Sequence, residues 1–341
     1  MIDIFVCRFQ YVSTTHTDTD RTDFNSSNHL CVKILFVTTT STTMSTVPAF
    51  LSTMASPLSS PDHHQYRFLS IHRLQDDPSV VVVALNRPNK RNALHAAMWK
   101  EIGHVFSTLG TTGDGSRCVL LVGHGKSFCA GIDVTDPAFF APDHNDVARK
   151  GVAFRQQVLE MQDCFSALEK RCPLPVVAAV HGACVGAGID LITCADLRYC
   201  APDTVFSVRE ARLGLAADVG TLQRLPKVVG YGSLVRELCL TGRDFGPVEA
   251  AGMGLVSAAG SDYLEKAIET CKAIARNSPL AVEGTKASLN YSRDHTVQEG
   301  LHHIAMHNAV ALQTSDMMDS FMAVHQGKPP VFADMLPHSK L

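Results

Sequence analysis

A chain of 341 residues can hold one large domain or two ordinary ones, and it is long enough to bury a core. Hydrophobic residues at 45% and charged residues at 18% mark a globular protein, and a formal net charge of −3 gives no electrostatic reason to expect nucleic acid or an anionic membrane as partner. A small-molecule ligand is the better expectation, and no apolar run nears the roughly 20 residues of a membrane span, so no membrane insertion is expected.

Taken in chain order, residues 1–65 stand apart. "FVTTTSTTMSTVPAFLSTMASPLSSPDHH" is rich in Ser, Thr and Pro and lacks helical or strand periodicity, so a disordered leader is expected over 1–65. A cleavable targeting peptide is the sharper alternative, opposed by Asp3, Asp18, Asp20 and Asp23 and by the scarcity of arginine. From residue 66 the pattern becomes regular. "VVVVALNRP" (80–88) reads as a buried strand and its exit. A helix is expected next, with Asn92 as N-cap and Leu94, Met98, Ile102, Val105 and Leu109 on one face. "CVLLVG" (118–123) is a second strand; Phe154, Val158, Met161, Phe165 and Leu168 mark a long amphipathic helix; "LPVVAAVHG" (174–182) is a third strand. Strands alternating with helices imply an α/β fold with a mostly parallel, helix-covered sheet, here over 66–260. Residues 261–330 read as almost all helical and too apolar to stand alone in water, which suggests packing on the core or on another subunit. Residues 331–341 read as a polar tail. The eleven cysteines are scattered without a C-x-x-C pair, so buried thiols are expected, with neither a disulfide framework nor a metal site.

Two glycine-containing loops follow strands: "GKSFCAGIDV" (125–134) and "HGACVGAGIDL" (181–191). Small residues let backbone come close to whatever lies between them, and if the second loop opens a helix its free N–H groups point into that space. Two such N–H groups converging on a carbonyl oxygen make an oxyanion hole; tight packing of a strand-to-helix turn is the plainer reading. Three acids follow: Asp190, Glu210 and Asp218. If the chain turns at "LGLAA", Glu210 and Asp218 face one cavity, where desolvation raises a carboxyl's pKa toward neutrality and lets it carry protons both ways. Equally, Glu210 reads as an ion-pair partner of Arg209 and Arg212, and Asp218 as a cap of the helix that follows.

Four motifs, "LNRPNKRNAL", "GKSFCAGIDV", "PVVAAVHGACVGAGIDLITCADLRYCAPDTVFSVREARLGLAADVG" and "LTGRDFGPVEAAGMGLVS", occur in order between residues 66 and 330. Together they resemble the crotonase, or enoyl-CoA hydratase/isomerase, superfamily. The resemblance implies a crotonase-like spiral of ββα units with a C-terminal helical region that builds homotrimers, often paired into homohexamers. It also implies an acyl-CoA thioester as substrate, with CoA part of that substrate and no metal or redox cofactor. The oxyanion-hole donors would be the backbone N–H groups of Ile132 and Ala187; Ala187 departs from the glycine usual there, but the donor is main-chain. CoA contacts would come from Lys90, Arg91, Ala93, Ala130, Gly131 and Asp133, although Lys90 and Arg91 read equally as solvated charges.

Within the superfamily the stretch "LGLAADVGTLQRLPK" is most similar to isomerases that shift both double bonds of a 3,5-dienoyl-CoA. Hydratases of the family resemble one another in carrying glutamates at the positions of Asp190 and Glu210, and Asp218 sits where the dienoyl isomerases place a second proton-transfer group. The resemblance therefore implies Glu210 at C2, Asp218 at C6 and Asp190 tuning or orienting the site; hydration of 2-enoyl-CoA, or acyl-CoA binding without catalysis, are the alternatives. The last residues, Ser339, Lys340 and Leu341, spell the peroxisomal address read by an import receptor. Peroxisomal location is expected, with a mitochondrial pool as a weaker second.

Overall fold

The structure, a computed structural model, describes residues 50–51, 55–57, 66–140, 143–230 and 232–338. It opens with strands β1 (Ala55–Pro57), β2 (Leu69–Leu74) and β3 (Val80–Leu85), then helix α1 (Ala96–Thr108), β4 (Cys118–Gly123), α2 (Val147–Lys170) and β5 (Val176–Val180). There follow β6 (Ala183–Val185), α3 (Ala187–Thr193), β7 (Leu197–Cys200), β8 (Val205–Ser207), α4 (Thr221–Val228), α5 (Gly232–Thr241), β9 (Asp244–Phe245), α6 (Pro247–Gly252) and β10 (Ala258–Ala259). The last helices are α7 (Tyr263–Ala275), α8 (Pro279–Ser292), α9 (Val297–Ala311) and α10 (Asp316–His325).

Seven strands form one sheet in the order β1-β2-β3-β4-β5-β7-β10, parallel from β3 to β10 and antiparallel at the β1 and β2 edge. β6, β8 and β9 make a smaller sheet. The unbroken Val-rich run of β3 follows from burial on both faces. Val81, Val83 and Leu85 pack with α1 and the end of α2, whereas Val80, Val82 and Ala84 pack with α7. The three strands expected from apolar runs are therefore present, as is the α1 face: Leu94, Met98, Ile102, Val105 and Leu109 are all buried. Among the described residues no helix is long and apolar enough to cross a membrane.

The structure differs from expectation in three places. Helix α1 begins at Ala96 with His95 as its cap, not at Asn92, which is buried in the left-handed region at φ 54°. Asn92 instead accepts the Arg87 N–H and donates to the carbonyls of His124 and Ser127, 2.8–2.9 Å away, so its side chain ties two loops together. Most of the expected leader lies outside the described residues, but Phe50 and Leu51 are buried beside Leu74, and Ala55–Pro57 pairs with β2, because the sheet edge there offers an apolar surface and open backbone groups. The expected polar tail is held down through His338: Arg117 donates to the Phe332 carbonyl (2.6 Å) and to Asp334 (2.7 Å), and the His338 N–H donates to the Thr111 carbonyl (2.8 Å). Ser339, Lys340 and Leu341 lie outside the described residues. Helices α8 to α10 keep large apolar side chains on the surface of the single chain, Leu289, Leu301, Val310 and Phe321 among them.

Candidate active site

The two glycine loops lie side by side because their backbones are zipped together. The Phe128 N–H donates to the His181 carbonyl (2.8 Å), the Cys129 N–H to Ala183 (3.0 Å) and the Val185 N–H to Cys129 (3.0 Å). At the end of the zipper Gly131 (φ 96°) and Gly186 (φ 55°) face one another: a Cβ on Gly131 would lie 3.1 Å from the Val185 carbonyl oxygen, and one on Gly186 3.0 Å from Glu210 Oε1. Both positions need glycine for conformation and for space. A third segment joins them, with the Ala130 N–H donating to the Arg91 carbonyl (3.0 Å) and the Leu94 N–H to Gly131 (2.7 Å). Among the described residues the N–H groups of Ile132 and Ala187 make no main-chain hydrogen bond to the loops around them.

These loops wall a cavity of about 310 Å³ that also takes in Asp190, Glu210 and Asp218. The turn expected at "LGLAA" is real: a 3-10 turn over Glu210–Leu213 ends at Gly214 in the left-handed region, and the chain comes back so that Glu210 and Asp218 meet the same space. Trp99, Phe139, Phe154, Met161, Leu213 and Leu215 supply most of the apolar wall. None of these was singled out as a site residue from sequence; Phe154 and Met161 lie on the apolar stripe of α2, and that periodicity alone could have pointed to them.

The plainer readings of the acids do not hold. Arg209 pairs with Asp244 and Arg212 donates to the Thr241 carbonyl, so neither neutralises Glu210, whose Oε2 is buried without a partner among the described residues. Asp218 does not cap α4. Asp190 does: its Oδ1 accepts the Thr221 N–H at 2.5 Å, while its Oδ2 is buried and unpartnered. Burial, with the nearby Glu210 charge adding to it against the Thr221 bond, pushes the Asp190 carboxyl up to about 7. Glu210 is raised by burial and then by the charge of Asp218. Asp218 is exposed as a residue at the cavity rim, yet the walls strip enough water from its carboxyl to raise it as well. Three carboxyls that hold their protons more tightly than usual around an apolar space are suited to moving protons on and off carbon.

The positions expected to meet CoA divide. Ala130, Gly131 and Ile132 line the cavity; Lys90 and Arg91 are exposed outside it, and Ala93 is half-buried beside them. Asp133 is turned inward, its carboxylate bound to Arg87 (2.7 Å) and Thr135 Oγ1 (2.6 Å) and its N–H to the Leu94 carbonyl (2.8 Å). The Thr135 hydrogen bond, and after it the Arg87 bond, hold that carboxyl well below the usual range. With one oxygen on Arg87 and the other on Thr135, the side chain braces the loop.

The family profile described as enoyl-CoA hydratase/isomerase matches residues 75–334, and the chain belongs to that family. The human mitochondrial Delta(3,5)-Delta(2,4)-dienoyl-CoA isomerase is 46% identical over 273 residues, 79% of this chain and 82% of the human one. The Arabidopsis thaliana peroxisomal Delta(3,5)-Delta(2,4)-dienoyl-CoA isomerase is 40% identical over 276 residues, 79% of this chain and 98% of its own length. Among solved structures, an enoyl-CoA hydratase from Bacillus anthracis superposes with a TM-score of 0.69 at 28% identity, covering 78% of this chain and 99% of that one. The crotonase fold expected from the motifs is thus the fold of the chain.

Proposed function

We propose that the protein isomerises 3,5-dienoyl-CoA to 2,4-dienoyl-CoA, the activity named for its relatives at 40–46% identity. One observation carries the reading: Glu210 and Asp218 share a single apolar cavity with the main chain of Ile132 and Ala187. The thioester oxygen sits between the Ile132 and Ala187 N–H groups, which stabilise negative charge as it develops there. Glu210 takes a proton from C2. The electron pair spreads over the conjugated chain as a dienolate, and the protonated Asp218 gives its proton to C6, so the double bonds at C3 and C5 move to C2 and C4. C2 and C6 are four carbons apart, too far for one carboxyl to serve both. Asp190 holds the start of α4 and so orients the site, and the Glu210 charge helps to keep its carboxyl protonated. Binding of the thioester oxygen makes the C2 proton acidic enough for a carboxylate, so this chemistry asks for no metal or redox cofactor.

Lys90 and Arg91, exposed beside the cavity, meet CoA phosphates, and the main chain at Ala93, Ala130 and Gly131 meets the rest of the carrier. The apolar surfaces of α8 to α10 pack against copies of the chain in a homotrimer or homohexamer. Ser339-Lys340-Leu341 directs the protein to the peroxisome through its import receptor, in keeping with the peroxisomal Arabidopsis relative, while mammalian relatives are named mitochondrial.

The test is an assay of purified protein with 3,5-dienoyl-CoA and 2-enoyl-CoA side by side. The expected result is the strong ultraviolet absorbance of a 2,4-dienoyl thioester, reduced about 100-fold or more in Asp218→Asn. Hydration of 2-enoyl-CoA at a rate indifferent to Asp218→Asn, with no dienoyl product, would replace the isomerase reading by a hydratase one; binding without turnover of either would leave an acyl-CoA-binding protein.

A further inference from the structure

Asp218 lies on a short strap, residues 218–220, that has space on both sides. Val219 lines the acid-bearing cavity and also a second, polar cavity of about 340 Å³ behind it. Val219 packs into the core, but Asp218 beside it is exposed, so the placement of that end of the strap rests on bonds.

Those bonds come from one face of α2 and from α4. Gln162 Nε2 donates to the Asp218 carbonyl at 2.6 Å. Arg224 Nη1 donates to the Val219 carbonyl (3.4 Å), and its guanidinium lies against Gly220 so closely that any side chain there would strike Nη1. Arg224 is itself aimed by Ser166 Oγ (3.0 Å) and Glu169 Oε2 (3.0 Å), and Glu169 is held on its other oxygen by Arg293 (2.7 Å). Gln162, Ser166 and Glu169 recur at i, i+4 and i+7, so they form a polar stripe beside the apolar stripe of Met161, Phe165 and Leu168. One stripe packs on the core; the other grips the strap.

We propose, building on the isomerase reading, that Gln162 and Arg224 are positioning residues for Asp218. They clasp consecutive peptide carbonyls of the strap and stop it moving back into the polar cavity. Neither touches the reacting atoms. Their effect passes through the placement of one carboxyl, and a misplacement of about 1 Å can cost a factor of 100 in rate.

The experiment is a double-mutant cycle between Gln162→Ala and Asp218→Asn on the full chain. Gln162 makes its bond near the surface, so its loss leaves the core intact, and thermal unfolding of each variant checks this. Gln162→Ala should lower kcat for 3,5-dienoyl-CoA roughly 10-fold with KM within about 2-fold. In the Asp218→Asn background, with residual turnover followed over hours, the same change should alter the rate by less than about 2-fold. Arg224→Lys, which keeps the charge but loses the fork of donors, should show the same coupling. Equal losses in both backgrounds, or no loss from either variant, would overturn the positioning role while leaving the isomerase reading standing. Absence of isomerisation by the unmodified chain would overturn both.

Discussion

Asp190 accepts the main-chain N–H of Thr221 with one carboxyl oxygen and buries the other without a partner among the described residues. The second oxygen makes ionisation costly, which is why this carboxyl is pushed up to about 7. In the unfolded chain it titrates near its ordinary value of about 3.9. The folded state therefore holds the proton more tightly, and the stability this confers at low pH is lost as pH rises from about 4 to about 7. Asp190→Asn keeps an acceptor for Thr221 and abolishes that loss. The variant should gain stability over the unmodified chain, on the order of 1–3 kcal/mol at pH 8 and much less at pH 4, read by denaturant unfolding at the two pH values.

Gly186→Ala should damage the site more than the fold. A Cβ there would press on Glu210 Oε1 at 3.0 Å, and the residue sits at φ 55°. A stability loss of about 1–3 kcal/mol is expected from the backbone. Displacing Glu210 should lower kcat by about 10- to 100-fold. Circular dichroism and steady-state kinetics on one preparation separate the two effects, and an unchanged kcat would show that Glu210 does not need this contact.

Asn92→Ala removes three hydrogen bonds that join the strand exit at Arg87 to the loop at His124 and Ser127. It also leaves a less tolerant residue at positive φ. A loss of about 2–4 kcal/mol is expected, measured by the urea midpoint.

Trp99 is the single tryptophan of the chain and lines the acid-bearing cavity, stacked on Phe165 at 4.3 Å. Its emission should change when a saturated, unreactive acyl-CoA is added and stay constant with CoA alone, because only the acyl chain reaches the apolar wall. Equal responses to both would place the acyl chain elsewhere.

Much of the frame was legible in the sequence because burial on both faces writes strands such as β3 as unbroken β-branched runs, and one-sided burial writes α1 as a stripe. Glu210 and Asp218 were legible as a pair only on the condition that the chain turns between them, a turn that Gly214 makes by its left-handed conformation. Asn92 misled, since the side-chain oxygen that suits a cap also suits a residue at positive φ bridging two loops. The inward turn of Asp133 depends on Arg87, 46 positions away, and one cavity wall gathers Trp99, Phe154 and Leu213 from distant parts of the chain, an arrangement that no local pattern encodes.

The zipper between the two glycine loops places Cys129 opposite Cys184, both fully buried. Burial pushes the Cys129 thiol up to about 12 and raises Cys184 well above the ordinary range. Peroxide attacks thiolates, and these sulfurs stay protonated at any physiological pH. The seam beneath the acid-bearing cavity accordingly presents two shielded, protonated sulfurs, so an oxidant has no thiolate to attack at Cys129 or Cys184.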